Sequence, residues 1–305
     1  MDPTRNICNI KDSFNSINDK YEVKKYSEKS IMSPRTRRKK MTQNREVIEL
    51  EYIPFSLPLD EININSELFS KDDIILANID AIYNFSGQED GYLKPQIIKN
   101  FDFAATDTSY LTYLQYRLPF SRGFLPCNKV PCEKCFLNKK GIDIRQLNTN
   151  CDENSLVDYV IDIVPEGVDL VISKSVVNNY RNNLITALKL CKPGGTFICR
   201  IDENQIDLSI KYINAICFET FSLFKPISES LNAPYSYIIA QNYKGNSIDW
   251  IDMLVGLDSK NIDISEDFVD YVENYYNQLS KLKGNLYENP VKYDTYKCKA
   301  IWNIF

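Results

Sequence analysis

The chain has 305 residues, 44% of them hydrophobic, with nine cysteines, no histidine and a formal net charge of −5. That is enough apolar material for one large domain with extensions, or for two modest domains. The missing histidine excludes a Ser-His-Asp triad, a Cys-His dyad and any histidine-ligated metal, and the acidic balance argues against a surface that attracts nucleic acid as a whole.

Residues 1–45 are polar, charged and weakly periodic, the pattern of a flexible or partner-docked arm. The arm contains "PRTRRKK", which gathers Arg35, Arg37, Arg38, Lys39 and Lys40. Such a run is either a solvated tail or a phosphate-binding or targeting segment. The opening "MDPTRNICNIKDSFNS" has no apolar signal-peptide core, and an odd cysteine count points to free thiols in a reducing, cytoplasmic setting. No run approaches the roughly 18 apolar residues of a membrane span.

Residues 46–100 alternate apolar clusters ("VIELEYIPF", "DIILANIDAIYNF") with turns. "FDFAATDTSYLTYLQYRLP" (101–119) then reads as strand, turn and helix, with Tyr110, Leu111, Leu114 and Leu118 on one face. "CNKVPCEKC" places Cys127, Cys132 and Cys135 near each other, with Cys151 further on. Four thiolates could hold a structural zinc; the alternative is unpaired thiols in a loop.

"VDLVISK" (168–174) is a buried strand, and "NNLITALKLC" a helix stopped by "KPGG". "TFICRI" is the next strand and "IDLSIKYINAIC" the next helix, with Cys191, Cys199 and Cys217 on apolar faces. "TFSLFKP" and "YSYIIAQNY" are joined by "ISESLNAP", too short for a crossover, so this last pair is expected to be antiparallel. "SEDFVDYVENYYNQLSKLKG" predicts a helix capped by Ser265 and ended by Gly284, with a buried stripe of Val269, Val272, Tyr276 and Leu279.

The expected fold is α/β and Rossmann-like: a mostly parallel seven-stranded sheet with a terminal antiparallel hairpin, the methyltransferase variant. The expected division is a flexible basic arm (1–45), a methyltransferase-fold domain (46–245, core 90–245) and a C-terminal helical extension (246–305).

The ordered set "FDFAATDTSYLTYLQYRLP", "GIDI", "VDLVISKS", "ALKLCKPGGTFICRI" and "FSLFKPISESLNAPYSYIIA" resembles the FtsJ-type RNA ribose 2′-O-methyltransferases, including the cap methyltransferases of large DNA viruses. The resemblance covers roughly residues 90–245. It implies S-adenosylmethionine near Asp102, Asp107, Thr108, Ser109 and Asp143. Asp107, Thr108 and Ser109 stand where the family has Pro-Gly-Gly, so side chains project where its bare backbone meets the cofactor. Asp143 matches an acidic position that contacts the adenine, or is a surface turn residue.

The resemblance also implies a Lys-Asp-Lys-Glu tetrad. Lys174 stands at the Asp, Arg200 at the second Lys and Tyr235, ahead of Tyr237, at the Glu; Lys94 and Lys99 are candidates for the first Lys. An arginine stays protonated and cannot serve as a tunable amine. Scaffold kept and chemistry changed is the pattern of a pseudoenzyme, and more weakly resembles the non-catalytic small subunit of poxvirus-type mRNA capping enzymes. Three readings follow. One is a regulatory partner of a catalytic capping or methyltransferase subunit, cytoplasmic or virion-borne. The second is an active methyltransferase with a rearranged site. The third is an RNA-binding protein using the basic arm, Lys192, Arg200 and Lys225.

Overall fold

The computed structural model describes residues 37–43, 46–52, 69–87, 101–125, 143–146, 153–174, 180–203, 207–226, 228–230, 232–245, 248–256 and 262–288. Among them runs one sheet of nine strands: β1 (Arg37–Gln43), β2 (Glu46–Tyr52), β3 (Asp102–Ala105), β4 (Arg122–Leu125), β5 (Asp143–Gln146), β6 (Val168–Lys174), β7 (Cys191–Asp202), β8 (Phe218–Phe224) and β9 (Tyr235–Tyr243). Seven helices accompany it among the described residues: α1 (Lys71–Tyr83), α2 (Leu111–Arg117), α3 (Glu153–Ile163), α4 (Tyr180–Leu190), α5 (Leu208–Cys217), α6 (Ile248–Gly256) and α7 (Glu266–Glu288).

The strands lie in the order β1-β2-β8-β9-β7-β6-β3-β4-β5. The five from β5 to β7 are parallel neighbours. Renumbered from β3, their order is 3-2-1-4-5, the doubly wound arrangement whose direction reverses between β3 and β6. β9 is antiparallel to both β7 and β8 and lies between them. The sheet exceeds the expected seven strands because β2 adds parallel to β8 and β1 adds antiparallel to β2. Arg37, Arg38, Lys39 and Lys40 therefore lie on the outermost strand rather than in a flexible arm. Arg35 lies outside the described residues.

Two apolar layers flank the sheet. On one face α1 and α2 bury Ile75, Leu76, Ile79, Leu111 and Leu114 against Phe103, Ile172, Ile198 and Ile239. On the other, α3, α4, α5 and α7 cover Val171, Phe197, Cys199, Phe221 and Ile238. Cys191, Cys199 and Cys217 are buried and in no disulfide, as their apolar settings suggested.

Two glycines are fixed by close approach. A Cβ on Gly167, which has φ +88°, would lie 2.6 Å from the Leu190 carbonyl. One on Gly123 would lie 2.4 Å from the fully buried Phe103 ring.

α7 packs on the same core. Phe268 meets Tyr212 and Phe221 at ring separations of 5.1 and 5.6 Å, and the Tyr271 hydroxyl accepts the Leu223 amide over 2.9 Å. Ser265 caps the helix, accepting from the Phe268 amide. Gly284 does not end it: the helix runs through to Glu288. The buried stripe is Phe268, Tyr271, Val272, Tyr275 and Leu279, with Val269 and Tyr276 at its margins. The aromatic rings at 268, 271 and 275 turn the face by about a sixth of a turn from the one the sequence suggested, because they bury more area than Val269. No helix among the described residues is long and apolar enough to cross a membrane.

Candidate functional site

In a doubly wound sheet, ligands bind beyond the carboxyl ends of the strands, where the strand order reverses. Here that place lies after Ala105 on β3 and Lys174 on β6, with Arg200 next along the sheet.

The turn after β3 is built from side chains. Asp107 accepts from both the amide and the hydroxyl of Ser109, and Thr108–Tyr110 form one turn of 3₁₀ helix. Neither Thr108 nor Ser109 has positive φ. The turn is thus built around an aspartate, with no demand for glycine conformations.

Lys174, Arg200 and Tyr237 lie side by side across β6, β7 and β9, so their side chains share one face. That face carries α1. The Lys174 ammonium donates to Asp72 in the first turn of α1 over 2.7 Å and to the Ser109 hydroxyl over 3.4 Å. Next to Asp72, Lys71 donates to the buried Glu229 over 2.8 Å, in the loop between β8 and β9.

The start of α1 is held by a capping box. Ser70 and Asp73 exchange bonds, and Asp73 also accepts the Tyr113 amide over 2.9 Å. Burial raises the Asp73 carboxyl to about 6, against the hydrogen bonds that favour its charge.

The β7–β9 side of the crevice differs. The Arg200 guanidinium lies 4.4 Å from the centre of the Tyr235 ring, and its Nε is buried without a hydrogen-bond partner. Beside it, the Tyr110 and Tyr237 hydroxyls interact with each other, yet neither makes a well-formed hydrogen bond. Burial pushes both phenols well above their ordinary range, so they remain protonated donors.

Other candidates lie elsewhere. Asp102 begins β3, about 10 Å from its site end at ~3.3 Å per residue. It forms a two-bond ion pair with Arg122, of 2.6 and 2.7 Å. Lys192 pairs with Asp169 over 2.6 Å, near the starts of β7 and β6. Lys225 is fully buried, donating to Glu203 and to the Ala233 and Tyr235 carbonyls, so it is not available to RNA phosphates. Asp143 begins β5. Lys94, Lys99, Cys127, Cys132, Cys135 and Cys151 lie outside the described residues. Among the described residues no cluster of cysteine and acidic side chains is placed to hold a metal.

Sequence reasoning missed Lys71, Asp72, Glu229 and Tyr110. The available signal was Ser70-Lys71-Asp72-Asp73 ahead of an apolar run, a helix start with acidic residues in its first turn.

S-adenosylmethionine, which the family resemblance implies, does not fit this lining. Its sulfonium is a cation, and the side chain at the end of β6 is itself the cation Lys174, closed onto Asp72 and Ser109. The turn that would meet its methionine portion presents Asp107 and Ser109 side chains.

No protein-family sequence model matches the chain, and no curated protein matches its sequence. Solved structures similar to it include a putative ribosomal RNA methyltransferase from Plasmodium falciparum, with 14% identity, 58% of this chain and 98% of that chain covered, and a TM-score of 0.41. The fibrillarin pre-rRNA processing protein of Methanococcus jannaschii aligns at 13% identity over 58% of this chain and 77% of its own, with a TM-score of 0.39. A phosphoethanolamine N-methyltransferase from Haemonchus contortus, in complex with phosphoethanolamine and S-adenosylhomocysteine, aligns at 11% identity over 91% of this chain and 56% of its own, with a TM-score of 0.36.

Proposed function

We propose that this chain is a catalytically degenerate protein of FtsJ-like methyltransferase fold. In this reading it acts as a stimulatory or regulatory subunit for a catalytic partner in viral-type mRNA capping or RNA modification. One observation carries the reading: Lys174 bridges the crevice at the strand reversal, bonded to Asp72 and Ser109. A methyl donor would have to break both contacts and place its sulfonium beside an ammonium.

The test is titration of the full chain with S-adenosylmethionine, by calorimetry and thermal shift. A donor at a hundred times its dissociation constant stabilises a fold by about 2.7 kcal/mol, so binding would be plain to see. The expected result is no heat and no shift at millimolar donor. Co-purification with a capping enzyme from the same genome, with a rise in that enzyme's methylation rate, tests the partner role.

A second reading has its own observation. Lys71, Asp72, Lys174 and Glu229 place two lysines, an aspartate and a glutamate in two ion pairs, of 2.8 and 2.7 Å, that start from adjacent residues of α1. That is the composition of the family's tetrad on different positions. Methyl transfer from S-adenosylmethionine to RNA by the chain alone would establish this reading and overturn the first.

A further inference from the structure

We infer that the crevice holds a phosphate-binding site on its β7–β9 side, built on Arg200, Tyr110 and Tyr237, and that its ligand is the phosphate group of a nucleotide or an RNA. The inference rests on the reading that the β3–β6 side is closed to a methyl donor, because the two sides are then used differently.

The charges on the β3–β6 side are matched: Lys174 with Asp72, and Lys71 with Glu229. Arg200 is different. Among the described residues it has no carboxylate partner, and its Nε is buried and unbonded. A buried unbonded donor is costly, and a charged one more so. Two further donors stand beside it: the Tyr110 and Tyr237 hydroxyls, each on a residue 1% exposed, and neither with a well-formed hydrogen bond. Arg200 and Tyr237 are direct neighbours across β7 and β9.

The guanidinium can only donate, and the two phenols, which have each other and the field of Asp72 nearby, can turn their protons outward, so one oxyanion would satisfy all three groups. Stacking on Tyr235 fixes the guanidinium plane, which reduces what binding must immobilise. A guanidinium suits a phosphate because its N–H groups match two phosphate oxygens, and it stays charged at every working pH. The lysine of the family's tetrad would be a point charge that titrates. The arginine here gives up proton transfer and keeps anion recognition.

The experiment is calorimetric titration of the full chain with inorganic pyrophosphate, adenosine monophosphate, adenosine and a short single-stranded RNA. The proteins are the wild type, Arg200→Gln, Arg200→Lys and Lys192→Gln. Phosphate-bearing probes should bind and adenosine should not. Arg200→Gln should weaken binding about tenfold or more, as loss of a charged hydrogen bond does. Arg200→Lys, which keeps the charge and guards against a folding artefact, should fall between, and Lys192→Gln should match the wild type. Mononucleotide and RNA binding that are both lost in Arg200→Gln support the site, and the tighter of the two names the source of the phosphate. Failure of every phosphate probe to bind overturns it, as does equal binding by Arg200→Gln. RNA binding that survives Arg200→Gln also overturns it. Binding of S-adenosylmethionine in a parallel titration would sink the proposed function and with it the ground of this assignment, whereas failure of the phosphate probes alone overturns the assignment and leaves the proposed function standing.

Discussion

The Lys174 ammonium donates to the Asp72 carboxylate over 2.7 Å, tying the end of β6 to the first turn of α1 across 102 residues of chain. The tie holds the first turn of α1 against the strand reversal.

Both partners are about one-fifth exposed, at 21% and 22%, so the pair is only partly screened by water. A double-mutant cycle of Lys174→Ala and Asp72→Ala, read by urea unfolding, should give a coupling of about 1 kcal/mol. Lys174→Asp should cost more than Lys174→Ala, because it sets two carboxylates against each other. A coupling of zero would mean that Lys174 is not held where the geometry places it.

The packing of α7 predicts that it is part of the folding unit. Phe268 is fully buried among Tyr212, Phe221 and Tyr271. Phe268→Ala should cost about 3–5 kcal/mol, by lost burial and the cavity left behind. The whole protein should then unfold in one transition at lower denaturant. Early release of α7, with the rest of the unfolding curve unchanged, would show that the helix is an appendage.

Lys211 predicts a pH dependence of defined sign. Its ammonium bonds the Tyr276 hydroxyl over 2.9 Å, and burial lowers it from 10.5 to about 8, although Asp207 and Glu203 pull the other way. Between pH 8 and 10.5 the unfolded chain then binds more protons at this residue than the folded one, so its contribution to stability rises with pH. Lys211→Met has no such contribution. Its advantage over the wild type should be largest below pH 8 and shrink above it, by up to about 1.4 kcal/mol per unit. Taking the difference between the two proteins cancels the tyrosines and cysteines that titrate in the same range. A difference independent of pH would refute the assignment.

Gly123→Ala should destabilise the protein by about 1–3 kcal/mol, since the new Cβ falls 2.4 Å from the fully buried Phe103 ring. A thermal melt reads this directly. The variant should still bind phosphate if Arg200 acts as inferred, because Gly123 lies on β4, on the far side of β3 and β6 from Arg200.

What the sequence made legible was local. The runs at 168–174, 196–201 and 235–243 carry their own apolar pattern, and the helices between them have their own periodicity, so these elements form as expected, except that β7 starts at Cys191 and takes in the Lys192–Gly195 segment read as a helix stop. The site was legible only where it sits on those elements, as Lys174, Arg200 and Tyr237 do. The pairs Lys174–Asp72 and Lys71–Glu229 join residues 102 and 158 positions apart, and no local pattern encodes them. Gly284 misled for a related reason: a glycine ends a helix only when the chain has somewhere else to go, and a well-packed amphipathic face can carry the helix past it.

The pairing of β2 with β8 has a practical outcome. β8 has β9 along one side, and on the other it is met through Glu49↔Thr220 and Leu50↔Phe221. A truncated chain starting at Phe69 would retain the whole crevice but leave that flank of β8 bare. Bare strand flanks recruit other strands, so such a fragment should self-associate while still binding whatever the intact protein binds.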